Sequence, residues 1–223
     1  MEWRNFYLDL ILVPSAILSS LFYHVWLWYT VKRRPDRTYI AMNAAGQSAW
    51  INHILTDNDK KNVLAIQTLR NNIMGATLTA TTSVLICCGL LAFASKDYDA
   101  DKPDKLKIES KCSFLLLAFL SVFLCQTLSI ACLTQVNILI NILAGDTTPV
   151  RRYRVTELLG KGIFLCNVGN RVFFSTLPLV LWIFGPVLVF VCSVGVVVVL
   201  YSVDVVGDEK GAVGAEGGGM VQP

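Results

Sequence analysis

Long runs almost free of charge alternate along this chain with short segments that hold nearly every Lys, Arg, Asp and Glu. Four such runs stand out: Phe6 to Val31, with Asp9 as its only carboxylate, Ile73 to Ser95, Ser113 to Ala144, and a fourth inside Gly162 to Val203. Crossing roughly 30 Å of hydrocarbon takes about 20 apolar residues at 1.5 Å rise, and each run supplies that length. Unpaired backbone amides are too costly in lipid, so each run is predicted to be helical. The pattern therefore predicts an all-α, polytopic membrane helix bundle. Four transmembrane helices, over about 6–31, 73–95, 113–144 and 176–203, form a single domain across 1–206. The first run does not read as a cleaved signal, because Met1-Glu2-Trp3-Arg4 has no net positive charge and no small-x-small site follows it. Residues 207–223 are Gly-rich and acidic and contain no aromatic residue, so they are predicted to be disordered.

Composition agrees with this pattern: 54% of the 223 residues are hydrophobic and 16% charged, too few polar residues to cover a soluble domain of this size. Charge between the runs sets an orientation. Lys32, Arg33, Arg34, Arg37, Lys60, Lys61 and Arg70 outnumber the carboxylates of the first connection, and Arg151, Arg152, Arg154, Lys161 and Arg171 those of the third. The second connection is balanced. By the positive-inside rule the first and third face the cytoplasm, which puts both termini of a four-span chain on the non-cytoplasmic side. Nothing in the sequence selects a particular membrane.

The segments flanking the spans also carry helical patterns. Ile40, Ala44, Ile51 and Leu55 fall on one face with Trp50 beside them, which predicts an amphipathic helix on the cytoplasmic membrane surface. A further helix starts near Thr56 or Asp57 and runs through Gln67 and Arg70 into the second span. Residues 157–175 form another amphipathic stretch, ahead of Pro178 at the start of a helix. Gly185-Pro186 falls inside the fourth run and reads most simply as a kink. The alternative is a re-entrant hairpin, whose return leg from Val187 to Val203 is at the short limit for crossing.

Polar side chains within the runs are the candidates for function. In the third span Gln126, Thr127, Thr134, Asn137 and Asn141 share one face; in the second, Gln67, Asn71, Gly75, Thr82 and Gly89 form a small, polar seam. These stripes either pack against each other or line a cavity for an ion, solute or headgroup. Gln67, Arg70 and Asn71 are expected to meet Asn137, Asn141 and Arg171 in an inner polar cluster. Asp9 and His24 are the titratable candidates within the first span. The basic group Lys32, Arg33, Arg34 and Arg37 is placed to meet anionic lipid headgroups, besides setting the topology. Seven cysteines read as small buried hydrophobes, with Cys112 the candidate exposed thiol.

No metal-ligand cluster, phosphate-binding glycine loop or nucleophile elbow is present, and a net charge of +3 spread over membrane-flanking segments does not describe a nucleic-acid surface. Asp9 and His24 are separated by about 22 Å of helix rise, too far to cooperate directly. No cofactor or enzymatic activity is expected.

Several strings identify a resemblance. Tyr23-His24-Val25-Trp26-Leu27-Trp28-Tyr29, Asp57-Asn58-Asp59-Lys60-Lys61-Asn62, Gln67-Thr68-Leu69-Arg70-Asn71, Gln135-Val136-Asn137-Ile138-Leu139-Ile140-Asn141, Gly169-Asn170-Arg171 and Leu181-Trp182-Ile183-Phe184-Gly185-Pro186 are similar to the plant members of the membrane-protein family catalogued as domain of unknown function 599. The resemblance covers nearly all of Met1 to Val206. It implies a four-span membrane protein and brings no reaction or ligand with it. The residues themselves favour an oligomeric channel or transporter for an ion or small solute, because four helices enclose little room and a pore would need a homo-oligomer. The alternative is a non-catalytic scaffold that interacts with anionic lipid.

Overall fold

The computed structural model describes residues 2–56, 62–96, 105–142 and 149–206. Six α-helices dominate them: α1 (Glu2–Arg33), α2 (Tyr39–Thr56), α3 (Asn62–Lys96), α4 (Lys105–Ile142), α5 (Pro149–Val180) and α6 (Pro186–Asp204). Single turns of 3₁₀-helix at Pro35–Arg37 and Leu181–Ile183 join α1 to α2 and α5 to α6. The all-α bundle expected from the sequence is thus present. Asp57 to Lys61, and the predicted disordered tail, lie outside the described residues.

Among the described residues five helices, not four, have the length and apolar composition to cross a membrane. Leu8–Arg33, Val63–Ser95, Ile108–Ile140, Arg152–Ile183 and Pro186–Asp204 are each long and apolar enough to span a membrane. The chain is an integral multi-pass membrane protein. What read as one fourth span is two helices joined by a tight turn, in which the amides of Phe184 and Gly185 both donate to the carbonyl of Leu181, at 3.0 and 3.1 Å. Pro186 then opens α6 at a position where its missing N–H costs nothing. The hairpin alternative at Gly185-Pro186 is therefore the observed one. Pro178, expected to start a helix, lies inside α5 instead.

This hairpin changes where the chain ends. Val205 pairs with Thr38 in an antiparallel bridge, and the amide of Val206 donates to the carbonyl of Arg37. The end of α6 therefore lies at the same end of the bundle as the end of α1. An even span count had placed both termini on one side; α1 begins and α6 ends at opposite ends of the bundle.

Two apolar clusters hold the helices together. Ala16, Leu90, Cys112, Leu115, Phe119, Leu179 and Val189 form one, between α1, α3, α4, α5 and α6. Ile51, Ile54, Ala65, Leu69, Leu133, Val136, Ile140, Val155 and Leu159 form the other, between α2, α3, α4 and α5. Cys112 is buried in the first cluster, against the expectation of an exposed thiol, and Cys88 is exposed instead. The amphipathic helix predicted around Trp50 is α2; it packs along the first half of α5 through Ile51 and Ile54 rather than resting on lipid alone.

Helix α6 gives the bundle its scale. Its exposed residues from Val187 to Val199 are apolar throughout, and its 19 residues rise about 28 Å, close to the thickness of a hydrocarbon core. Asp204 stands at the end of that length.

Candidate functional site

Between the two apolar clusters lies a layer of polar side chains. Its charged centre is Asp204, 2% exposed, at the last turn of α6. Both carboxylate oxygens accept from the guanidinium of Arg171 on α5, from Nη1 and Nη2, in a two-point ion pair. The hydroxyl of Tyr23 on α1 donates to Oδ2 at 2.5 Å. A buried carboxylate carries a large desolvation cost, which is offset only when its lone pairs meet good donors. Here α1 and α5 converge on the end of α6 to supply them. Tyr23 is itself buried, and its neighbour His24 donates from Nδ1 to the carbonyl of Ser20 at 2.7 Å, leaving a buried Nε2 without a partner among the described residues.

The same layer continues across α3, α4 and α5 as a neutral amide network. Gln126 Nε2 donates to Asn170 Oδ1 at 2.8 Å and to the carbonyl of Cys166 at 3.3 Å, and the hydroxyl of Thr79 donates to Asn170 Oδ1 at 3.4 Å. One turn along α4, the buried Ser129 donates to the carbonyl of Gly162 at 2.6 Å. Two glycines let α4 and α5 approach this closely. A Cβ on Gly169 would fall 2.7 Å from Gln126 Nε2, and one on Gly162 3.1 Å from Cys132 Cβ and Leu133 Cδ2.

A second polar junction closes the other end of the bundle. Lys111 on α4 donates to Asp9 Oδ2 at 3.1 Å, and the indole N–H of Trp182 donates to Oδ1 at 3.2 Å. The ammonium also sits 4.7 Å from the centre of the Trp182 ring. From Asp9 to Tyr23 along α1, and from Lys111 to Gln126 along α4, the rise is about 21 to 22 Å. The apolar cluster around Phe119 fills that interval.

These contacts redistribute the residues singled out in the sequence. Arg171 pairs with Asp204, which the four-span reading left just beyond the last span, and so does not join Arg70. Thr79 touches Asn170, so Arg70, nine residues earlier on α3, lies about 13 Å further along the helix from the level of Arg171. Gln67, Arg70 and Asn71 are exposed. Nor do the two polar stripes pack against each other: Gln126 turns to α5, while Gly75 and Gly89 face open space. Thr127 and Thr82 bond to carbonyls of their own helices, Thr134 is exposed, and Asn137 is half-buried. Asn141 belongs to α4, but its side chain is outside the described set. Asp9 is engaged by Lys111 and Trp182. Tyr23, Asp204 and Asn170 were missed as site residues; the clue available was Arg171, an arginine inside an apolar helix with no carboxylate within a turn of it.

Among the described residues no group of three His, Cys, Asp or Glu could hold a metal ion. Residues 11–209 match the family described as "Protein of unknown function, DUF599". No curated protein and no solved structure matches the chain.

Proposed function

The chain belongs to the DUF599 family, and we propose that this member is a non-catalytic membrane scaffold whose Asp204 end faces the cytoplasm and holds anionic lipid headgroups. One observation carries the reading. Lys32, Arg33, Arg34 and Arg37 are all exposed at that end, directly after an aromatic collar. The Lys32 ammonium sits 4.1 Å from the Trp28 ring centre and the Arg33 guanidinium 5.2 Å from that of Tyr29, while Trp26 and Tyr201 join α1 to α6 at 5.7 Å. Amphipathic rings at headgroup level with cations just beyond them are the arrangement that anionic membrane surfaces attract. Mutual bonding in the polar layer supports a structural role for it, since any path through one chain has to break those bonds.

The test is binding of phosphatidylserine to detergent-solubilised full-length protein. Each cation near such a surface contributes about 1 kcal/mol, so replacing all four with Gln lowers affinity by well over tenfold, and rising salt weakens the wild type. Undiminished affinity in the variant rejects the proposal.

A second reading, a homo-oligomeric channel or transporter for an ion or small solute, is supported by the unpartnered face of α3. Gly75 and Gly89 have no neighbour where a Cβ would stand, and Gln67 and Asn71 share their exposure. Flux in liposomes that is lost in Gly89→Leu supports this reading; flux indistinguishable from empty liposomes removes it.

A further inference from the structure

A groove of about 190 Å³ opens between α2 and α5. Asn43 and Gln47 line it from α2; Thr156, Gly160, Phe164 and Asn167 line it from α5. Its position follows from contacts already described. Asn167 is one turn before Arg171, and Asn43 is five residues beyond Thr38, which pairs with Val205 next to Asp204. The groove therefore begins at the level where the apolar surface of α6 ends.

Its chemistry is distinct from that of the basic cluster. Among the described residues no Lys, Arg, Asp or Glu lines it. The amides of Asn43, Gln47 and Asn167 make no side-chain hydrogen bond among the described residues, so three groups that both donate and accept face one small space. Most of the remaining wall is apolar: Ile40, Ala44, Leu159 and Ile163 line it, and Phe164, 66% exposed, adds an aromatic ring. The volume is below that of a pocket for a drug-sized molecule and suits a single ring-sized group. Uncharged amides next to an aromatic face match a ligand with many hydroxyls, which give and take hydrogen bonds, and with C–H faces that rest on a ring. A phosphate or carboxylate would meet no compensating charge there.

We propose that this groove binds the uncharged, polyhydroxylated headgroup of a membrane lipid, a single sugar ring carried on a diacylglycerol. The acyl chains extend along the apolar surface that starts at the same level. This site is separate from the basic cluster, and the proposal stands or falls apart from it.

The experiment compares retention of three lipids with identical acyl chains by the full-length protein under native mass spectrometry: glucosyl-diacylglycerol, diacylglycerol and phosphatidylserine. The glucosyl form is retained about tenfold more strongly than diacylglycerol, the worth of one or two neutral hydrogen bonds. Gly160→Leu fills the groove and removes that preference. A Cβ at Gly160 meets no atom within 4 Å, and Leu favours the helix, so the variant keeps its fold. The pair Asn43→Leu and Asn167→Leu removes the preference by a second route. The Gln variant of Lys32, Arg33, Arg34 and Arg37 retains it. Equal retention of glucosyl-diacylglycerol and diacylglycerol overturns the proposal, as does an undiminished preference in both groove variants. Displacement of the lipid by an equal concentration of free methyl glucoside overturns its lipid source.

Discussion

Arg171 and Asp204 stand 33 residues apart in the chain and face each other as a two-point ion pair. On one continuous helix they would be separated by about 50 Å. Their contact requires the chain to reverse between them, and the turn through Leu181–Ile183 to Pro186 is where it does so. Tyr23 ties the pair to α1, so one buried carboxylate registers three helices.

Removing one member of this set leaves the other unsatisfied. Asp204→Leu alone is expected to destabilise the protein by about 3 kcal/mol, since Arg171 is left as a half-buried charge without its partner. The double variant Arg171→Met with Asp204→Leu recovers most of that loss, because well-packed apolar pairs often replace buried ion pairs at little cost. Thermal unfolding of both variants in the same detergent measures this; an additive loss in the double variant contradicts the pairing.

The contact between α4 and α5 depends on Gly169 having no side chain. Gly169→Ala places a methyl 2.7 Å from Gln126 Nε2, which is held by Asn170 and Cys166 and has no exposed volume to enter. Overpacking of this kind costs about 1 to 3 kcal/mol. Gly160→Ala, on the same helix but facing open space, is expected to be neutral or slightly stabilising. Equal melting temperatures for the two variants contradict the close approach at Gly169.

At the opposite end of the bundle the effect is smaller. Asp9 and Lys111 are each partly exposed, so Asp9→Asn is expected to cost no more than about 1 kcal/mol. Trp182 offers a specific readout there. Its indole donates to Asp9, and the fluorescence of a variant retaining Trp182 alone among the tryptophans shifts when Asp9 is changed to Ala. No shift indicates that the two do not touch.

How far these contacts were legible from the sequence depends on the helix. The apolar runs gave α1, α3 and α4 almost directly, because each is bounded by charges that lipid excludes. The α5–α6 hairpin was harder to read. As far as Asn170, α5 carries Arg152, Arg154, Glu157, Lys161, Asn167 and Asn170, a pattern that fits an amphipathic segment outside the membrane as well as the overhanging end of a long spanning helix. Beyond Arg171 the chain continues without a charge into α6, so two helices looked like one. Gly185-Pro186 was the only mark of the turn. Once α5 and α6 were merged, Asp204 fell just beyond the last span, on the far side from Arg171, and Arg171 was left to search for partners on α3 and α4. Gln126 was recognisable as a buried amide in an apolar helix, but its partner Asn170 lies 44 residues away, and periodicity within one helix holds no information about that distance.

Exposure of α3 leads to a separate expectation. Cys88, exposed next to Gly89, reports on whether that face meets another copy. In a variant that keeps Cys88 as its only cysteine, oxidation in the membrane yields a disulfide-linked dimer if the second functional reading holds. A chain that stays monomeric under oxidation, and at Gly89→Leu, speaks for a lipid-facing surface instead.

The hairpin is the element on which the account turns, and sidedness tests it most directly. With an epitope at each terminus of the full-length protein in sealed, uniformly oriented vesicles, external protease is predicted to remove one epitope and leave the other protected, because five crossings put the two ends on opposite sides. Equal cleavage or equal protection of both epitopes, with vesicle integrity confirmed, would mean an even number of crossings and contradict the α5–α6 hairpin.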